Sequence, residues 1–294
     1  MTALAPRLGN IAGIALPAAL LAAALGAIAW QVLPALPGTA PTFAPETVTL
    51  PPGELHYRAG GHFFVNGVAV DAPMETTRFD EPLTIMKYQV TAAEYAACVA
   101  DGACTAADPR NVGEGDVPVT GVNFRDATDY AAWLSARTGQ AWTLPTDQQW
   151  AYAAGELFVD DALGIEDNAA NPAERWLADY RREAARQAEA DPVPRAIGSF
   201  GQNENGLFDM HGNVWEWTQT CHRRVHLDGA GELVSELPAC NIRVLEGKHR
   251  ASVTYFIRDA RSGGCSVGVP PDNLGFRLVR QPQWHENLLN AIGL

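Results

Sequence analysis

Basic charge is scarce in this chain, and its placement is uneven. The 294 residues carry 21 lysines and arginines against 34 aspartates and glutamates, a formal net charge of −13. No basic stripe exists to displace the counterions of a phosphate backbone, which excludes nucleic acid as a partner. From Ile11 to Val32 there is no charged residue at all, over a length that crosses a bilayer as a helix. Arg7 precedes this run and no lysine or arginine follows until Arg58, so the positive-inside bias predicts a cytoplasmic N-terminus with the remainder across the membrane. Residues 1–36 therefore read as a cytoplasmic N-terminus and transmembrane signal-anchor, single-pass in an inner membrane. A signal removed near Thr39-Ala40 is the other reading, and both put the following domain on the periplasmic or extracellular side.

Cysteine is sparse as well. The five present suit an oxidising compartment. Cys98 and Cys104 lie six apart around Asp101-Gly102, a turn able to close a small disulfide loop, and Cys221 and Cys240 bracket a polar, glycine-containing stretch and are expected to pair too. Cys265 is left over, either a small buried hydrophobe or a reactive thiol. His222 and His226 are spaced as helical metal ligands, but no third ligand is evident and Arg223 and Arg224 lie between them, so an exposed polar loop is expected there. No internal repeat is visible.

What is present in quantity is turn chemistry: 27 glycines and 20 prolines spread along the chain predict a loop-rich architecture. Residues 37–53, with prolines at 37, 41, 45, 51 and 52, read as an extended tether, and folding is expected from about Glu54. Asn66-Gly67 between apolar residues signals a hairpin. Thr91 with Glu94 and Thr146 with Gln149 are capping boxes that open helices, and a further helix is predicted from Asn123 to the stop at Gly139, on Ala127, Tyr130, Ala131 and Leu134. A polar, helix-favouring insert fills 160–194, with Trp176, Leu177 and Tyr180 on one face. Strand-like runs follow at Ile242–Leu245, Thr254–Ile257 and Leu274–Val279. This order predicts a single α+β domain over 54–282 with a tail at 283–294.

The densest segment is Gly206-Leu207-Phe208-Asp209-Met210-His211-Gly212-Asn213-Val214-Trp215-Glu216-Trp217. Asp209 and Glu216 can offer carboxylate oxygens, and turning at Gly212 can aim backbone carbonyls at the same point, which is calcium chemistry. The alternative is that Asp209 caps a turn and Glu216 pairs with an arginine. Trp215 and Trp217 are expected to anchor the loop in the core.

Four segments, Val119-Thr120-Gly121-Val122-Asn123, Trp142 to Trp150, Gly206 to Trp217 and Asn273-Leu274-Gly275-Phe276-Arg277, together resemble the sulfatase-modifying-factor family of formylglycine-generating enzymes. The resemblance implies a C-type-lectin-like α+β fold with little regular secondary structure. It also implies a structural calcium held by the side chains of Asp209 and Glu216 and the carbonyls of Gly212 and Val214. The family enzyme converts a sulfatase cysteine to formylglycine with oxygen, using a cysteine pair that holds copper(I) as thiolates. Counted back from Ala260-Arg261-Ser262, those two positions here are Lys248 and Val253, and no cysteine occurs between Cys240 and Cys265. Copper is therefore not expected. Iron-dependent relatives take histidine ligands from an extra N-terminal helical domain, where this chain has its membrane segment and tether. Lys248, His249 and Arg250 are candidates for a positive recognition patch in the groove, and Cys265 is the remaining catalytic candidate. Gly263-Gly264-Cys265 and the anchor are similar to accessory proteins associated with copper nitrite reductases. The expectation is an extracytoplasmic, membrane-anchored accessory or maturation factor for such a partner. A divergent protein-modifying oxidoreductase and a calcium-dependent lectin-like binding module are the alternatives.

Overall fold

The computed structural model describes residues 44–108, 113–164, 172–189, 191–262, 266–267, 271 and 273–282. The expected membrane segment, the start of the tether, Gly263-Gly264-Cys265 and the tail at 283–294 lie outside the described residues. Among those described, no helix is long and apolar enough to cross a membrane.

Among the described residues, three sheets and four helices carry the fold. One sheet has four strands in the order β1 (Thr47–Leu50), β6 (Leu83–Met86), β13 (Val279–Arg280), β7 (Trp142–Thr143). β1 falls inside the stretch expected to be tether, so the folded part starts earlier than predicted. The reason is local: Thr47-Val48-Thr49-Leu50 alternates, and it pairs antiparallel with β6 so that Leu50 is buried while Thr47 stays exposed. The prolines at 51 and 52 end that strand rather than extend a linker. A second sheet runs β11 (Ser266–Val267), β10 (Ala251–Thr254), β9 (Leu233–Glu246), β8 (Trp215–Leu227), β3 (His62–Val65), β4 (Val68–Val70), with β12 (Leu274–Gly275) added parallel to β8. β2 (Gly53–Arg58) and β5 (Met74–Phe79) form a separate antiparallel pair.

The hairpin at Asn66-Gly67 joins β3 to β4, and both residues take positive φ, 50° and 82°, as a tight turn of that twist demands. Three helices begin on capping boxes. They are α1 (Ala92–Ala100) on Thr91 and Glu94, α2 (Phe124–Thr138) on Asn123 and Asp126, and α3 (Asp147–Ala154) on Thr146 and Gln149. Gly139 ends α2 in the left-handed conformation, at φ 69°. Asp126, in the first turn of α2, is buried although charged, because its carboxylate both completes the cap and accepts from Arg258 Nη2 and Nε at 2.7 and 2.8 Å. α4 (Pro172–Ala188) occupies the insert. One core cluster joins Leu50, Leu83, Ile85, Val279, Trp150, Leu207 and Met210, so the four-stranded sheet, α3 and the tryptophan loop share their apolar faces.

The largest departure from expectation is the stretch from Cys221 to Cys240. It is not a loop but the outer part of a long β8–β9 hairpin, turning at Asp228–Glu232. His222 and His226 are therefore strand residues. His222 is buried, its Nδ1 3.2 Å from Ser252 Oγ and its ring edge-on to His62 at 4.6 Å; burial holds its pKa down to about 4. His226 stacks on Phe64. Disulfides join Cys98 to Cys104 and Cys221 to Cys240. The second links β8 to β9 beside a register shift, where the ladder itself is interrupted. Replacing Cys221 and Cys240 by serine is expected to destabilise the domain by about 2–4 kcal/mol, by freeing a loop of intermediate length in the unfolded chain. Urea midpoints of the oxidised protein and the double variant measure it.

Strand formation also stops short in two places. Of Thr254–Ile257 only Thr254 lies in a strand, because Tyr255 and Phe256 turn away from the sheet toward α2, where Phe124 N donates to Tyr255 O at 3.1 Å. Leu274–Val279 splits into β12 and β13 so that Arg277, between them, can reach inward.

Candidate functional site

The Gly206–Trp217 loop is held in shape by backbone that side chains rarely adopt. Asp209 and Asn213 take φ of 60° and 68°, a left-handed conformation that asparagine and aspartate tolerate through local hydrogen bonds. Asn213 makes both of its own: Oδ1 accepts from Arg195 N and Nδ2 donates to Arg195 O, each at 2.9 Å. Gly212 passes so close to Phe200 that a Cβ there would collide with the ring. Leu207, Met210 and Val214 point into the core, and Trp215 and Trp217 are buried as expected.

At the end of this loop Glu216 is fully buried and its carboxylate receives four N–H donors. Gln89 Nε2 and Arg277 Nη2 donate to Oε1 at 2.9 and 2.7 Å; Trp150 Nε1 and Arg277 Nε donate to Oε2 at 2.9 and 2.6 Å. Arg277 is equally buried and spends its other donors on the carbonyls of Met86, Lys87 and Phe208. A carboxylate has about four lone-pair sites and a guanidinium five N–H groups. Both groups are thus saturated, and the one charge cancels the other.

The four segments that carry the family resemblance meet at this point. Trp150 comes from α3, Arg277 from the segment between β12 and β13, and Glu216 from the loop. Next to them Trp217 Nε1 donates to Val122 O at 3.0 Å, which brings in the segment before α2. Trp215 N donates to Asn273 O at 2.9 Å. Sequence signatures spread over some 160 positions are therefore contacts around one buried ion pair.

The expected calcium ligands do not assemble here as a ligand set. Both carboxylate oxygens of Asp209 are turned to backbone amides, Gly198 N at 2.5 Å and Phe200 N at 2.8 Å. Burial pushes its carboxyl above the usual range, against the pull of those amides. Three oxygens do converge: the carbonyls of Asp209 and Gly212 and Glu216 Oε1. What they surround is Gln89 Nε2, at 3.4, 3.3 and 2.9 Å. An amide N–H group thus fills from within the chain the seat a cation would take, and Arg277 already supplies the positive charge. These residues as arranged do not fit calcium. Asp209 caps a turn and Glu216 pairs with an arginine, which was the alternative reading of the sequence. Among the described residues no group of three or more histidine, cysteine, aspartate or glutamate side chains is placed to hold a metal ion.

The groove candidates are turned inward rather than displayed. Lys248 lies with Nζ 5.7 Å from the Trp215 ring centre and donates to Glu189 O at 3.3 Å. His249 is buried against the same ring, and burial lowers its pKa, disfavouring the charged imidazolium. Arg250 turns into the core toward Glu246 and Asp147. No positive patch forms at 248–250, because two of its three side chains are consumed by buried partners. Val253 is completely buried in β10. Neither Lys248 nor Val253 can hold copper(I) as a thiolate does, so the family's copper centre does not fit this chain. Four of the five cysteines are in disulfides, and Cys265 lies outside the described residues.

Sequence reasoning missed two participants. Gln89 follows a strand and precedes a helix cap, with no periodicity to mark it. Glu246 ends the apolar run Ile242–Leu245, and a carboxylate closing such a run was the available signal.

A mixed-sheet α+β scaffold whose hallmark residues converge on a structural ion pair is the class these observations define. A profile of the sulfatase-modifying factor enzyme 1-like domain matches residues 34–282, and the chain belongs to that family. It is 38% identical over 187 residues to the formylglycine-generating enzyme of Mycobacterium tuberculosis, covering 56% of this chain and 58% of that one. It is 29% identical over 174 residues to the inactive C-alpha-formylglycine-generating enzyme 2 of Bos taurus, covering 55% and 50%. The chain thus spans about half the length of these curated relatives. The solved structure of PvdO from Pseudomonas aeruginosa aligns with a TM-score of 0.51 at 22% identity, over 81% of this chain and 95% of that one, which shows a shared fold.

Proposed function

We propose that this protein is a non-oxidising member of its family: an extracytoplasmic, membrane-anchored accessory factor that binds and helps mature a partner enzyme. The observation that carries the reading is the replacement of the copper-binding pair by Lys248 and Val253, one packed on Trp215 and the other sealed inside β10. A buried valine cannot be recruited as a ligand by a side-chain rotation. That a relative bears the name of an inactive enzyme supports such a loss of chemistry within the family. A copper nitrite reductase is the partner we favour, on the similarity of Gly263-Gly264-Cys265 and of the N-terminal anchor to accessory proteins of those enzymes.

Two measurements test this. Titrated with copper(I) against a competing chelator, the full chain is expected to take up no tightly held equivalent and to consume no oxygen with a cysteine-containing peptide. Deletion of the gene is expected to lower the fraction of partner reductase that is copper-loaded and active. Oxygen consumption that disappears in Cys265→Ser would replace this reading with a divergent oxidase, and a fully loaded, active reductase in the deletion strain would remove the partner.

A further inference from the structure

The two disulfides sit in opposite surroundings. Cys98 and Cys104 are sealed, at 0% and 8% exposure, whereas Cys240 is exposed and Cys221 is half-buried. The stretch of β9 that leads to Cys240, Leu233 to Pro238, is exposed throughout, so the approach to that sulfur along the hairpin is open. The bond also spans a break in the β8–β9 ladder. Cys221 lies opposite Arg243 and His222 already lies opposite Ala239, which leaves residues 240–242 outside the ladder to β8. Opening the bond therefore lets the two sulfurs part without breaking a ladder hydrogen bond.

One of the two sulfurs has a cation beside it. Arg243 Nη1 donates to Cys221 Sγ at 3.3 Å and to Gln219 O at 2.5 Å, and its guanidinium lies 4.2 Å from the centre of the Phe124 ring. Its buried Nε has no hydrogen-bond partner. Burial pulls its pKa down and no acidic neighbour opposes the shift. Arg223, two residues along β8 from Cys221, is by contrast paired with Glu75 and Glu236. A half-buried guanidinium without a counter-charge lacks an anion, and a thiolate at Cys221 is the anion this geometry receives. A thiol whose thiolate is held by a cation is the better leaving group in exchange.

We infer that Cys221–Cys240 is a thiol–disulfide exchange site for a dithiol, with Cys240 the sulfur attacked and Cys221 the one that leaves. The incoming thiolate bonds to Cys240 Sγ as the S–S bond breaks, and the electron pair departs on Cys221, where Arg243 Nη1 holds the thiolate. The second thiol of the same dithiol then loses its proton and displaces Cys240, which closes the partner's own disulfide. The dithiol is oxidised by two electrons and the protein disulfide is reduced by two. Of the two protons released, one ends on Cys240 and the other in solvent. The exchange uses no residue of the groove at 248–253.

The test starts from the oxidised full chain, its free thiols first blocked with iodoacetamide, under native conditions. Reduced glutathione is added, the reaction is trapped by a second alkylating agent, and peptides are mapped by mass. Cys221–Cys240 is expected to open at least about a hundredfold faster than Cys98–Cys104, whose sulfurs come into reach only through local unfolding. Glutathione should be found on Cys240 and not on Cys221. A Cys-X-X-Cys peptide in place of glutathione should become oxidised in a one-to-one ratio with the bond it opens. Arg243→Gln, which keeps a donor for Gln219 O, is expected to slow opening about tenfold, the factor a charge-assisted hydrogen bond commonly carries. In Cys240→Ser the Cys221 thiol should titrate below the ordinary value of about 8.5 and return to it when Arg243→Gln is added. Melting temperatures of the oxidised proteins check that folding is intact, and the wild-type comparison of the two disulfides needs no variant. Equal opening rates for the two disulfides, glutathione on Cys221, or a rate indifferent to Arg243→Gln overturns the inference. A peptide that stays reduced while the glutathione adduct forms overturns its assignment to a dithiol.

Discussion

Arg277→Ala is expected to destabilise the domain by about 3–5 kcal/mol, because it leaves the Glu216 carboxylate buried without its counter-charge. Whole domains of ordinary stability have only about 5–15 kcal/mol to lose. The variant should therefore unfold near growth temperature, and a circular-dichroism melt or a urea midpoint reads the change directly. Glu216 would keep Gln89 and Trp150 as donors, while the carbonyls of Met86, Lys87 and Phe208 would lose theirs. Replacing both members at once, as Glu216→Leu with Arg277→Met, should recover a large part of the loss, since it is the unpaired charge that costs most. The wild-type melt should not move on addition of a calcium chelator, because Gln89 and Arg277 already satisfy the oxygens a cation would bridge. A chelator-induced drop would mean that the Gln89 amide gives way to an ion, and an Arg277→Ala melt within about 1 kcal/mol of wild type would mean that the pair does not hold these segments together.

How far the sequence foretold this arrangement differs from residue to residue. Capping boxes and the Asn66-Gly67 turn were legible because their chemistry is local: the donor and acceptor lie within three or four positions of each other. The four family segments were legible as signatures, yet their common purpose was not. Glu216, Trp150 and Arg277 are separated by more than 60 residues, and nothing in a linear pattern says which distant cation will reach a carboxylate. That is why the sequence points to calcium for Asp209 and Glu216, with a turn cap and an arginine partner only as the alternative, until the fold places Arg277. The β8–β9 hairpin was hidden for a different reason. Its outer half carries Arg223, Arg224 and two histidines on one strand and exposed Leu233, Val234 and Leu237 on the other, so the alternation that announces a half-buried strand is lost. The Lys248–Arg250 run misled because three adjacent cations suggest surface charge, whereas burial of Arg250 needs only one acidic pocket within reach.

That pocket carries the second large effect. Glu246 is buried at the end of β9, with Oε1 2.9 Å from Arg250 Nε, and the same guanidinium has Nη2 3.8 Å from Asp147 Oδ2. Asp147 Oδ1 accepts from Thr220 Oγ1 at 2.9 Å, and Arg250 Nη1 donates to Arg58 O at 3.1 Å. The rings of Tyr57 and Phe158 close the remaining sides. Two carboxylates thus share one cation away from water. Burial pushes Glu246 from its ordinary 4.5 up to about 8, with Arg250 opposing the shift and Asp147 and Asp161 adding to it. A folded-state pKa above the unfolded one means that the native protein holds a proton the unfolded chain has released. The resulting stabilisation is complete below about pH 4.5, declines as pH rises, and is gone above about 8. Over that window it amounts to several kcal/mol, at up to about 1.4 kcal/mol per pH unit. Glu246→Gln keeps an acceptor for Arg250 and removes the titration, so its urea midpoint, taken relative to wild type at each pH, should rise steadily between pH 5 and 8 and exceed the wild-type value at pH 8. Parallel pH profiles for the two proteins would place the proton on some group other than Glu246.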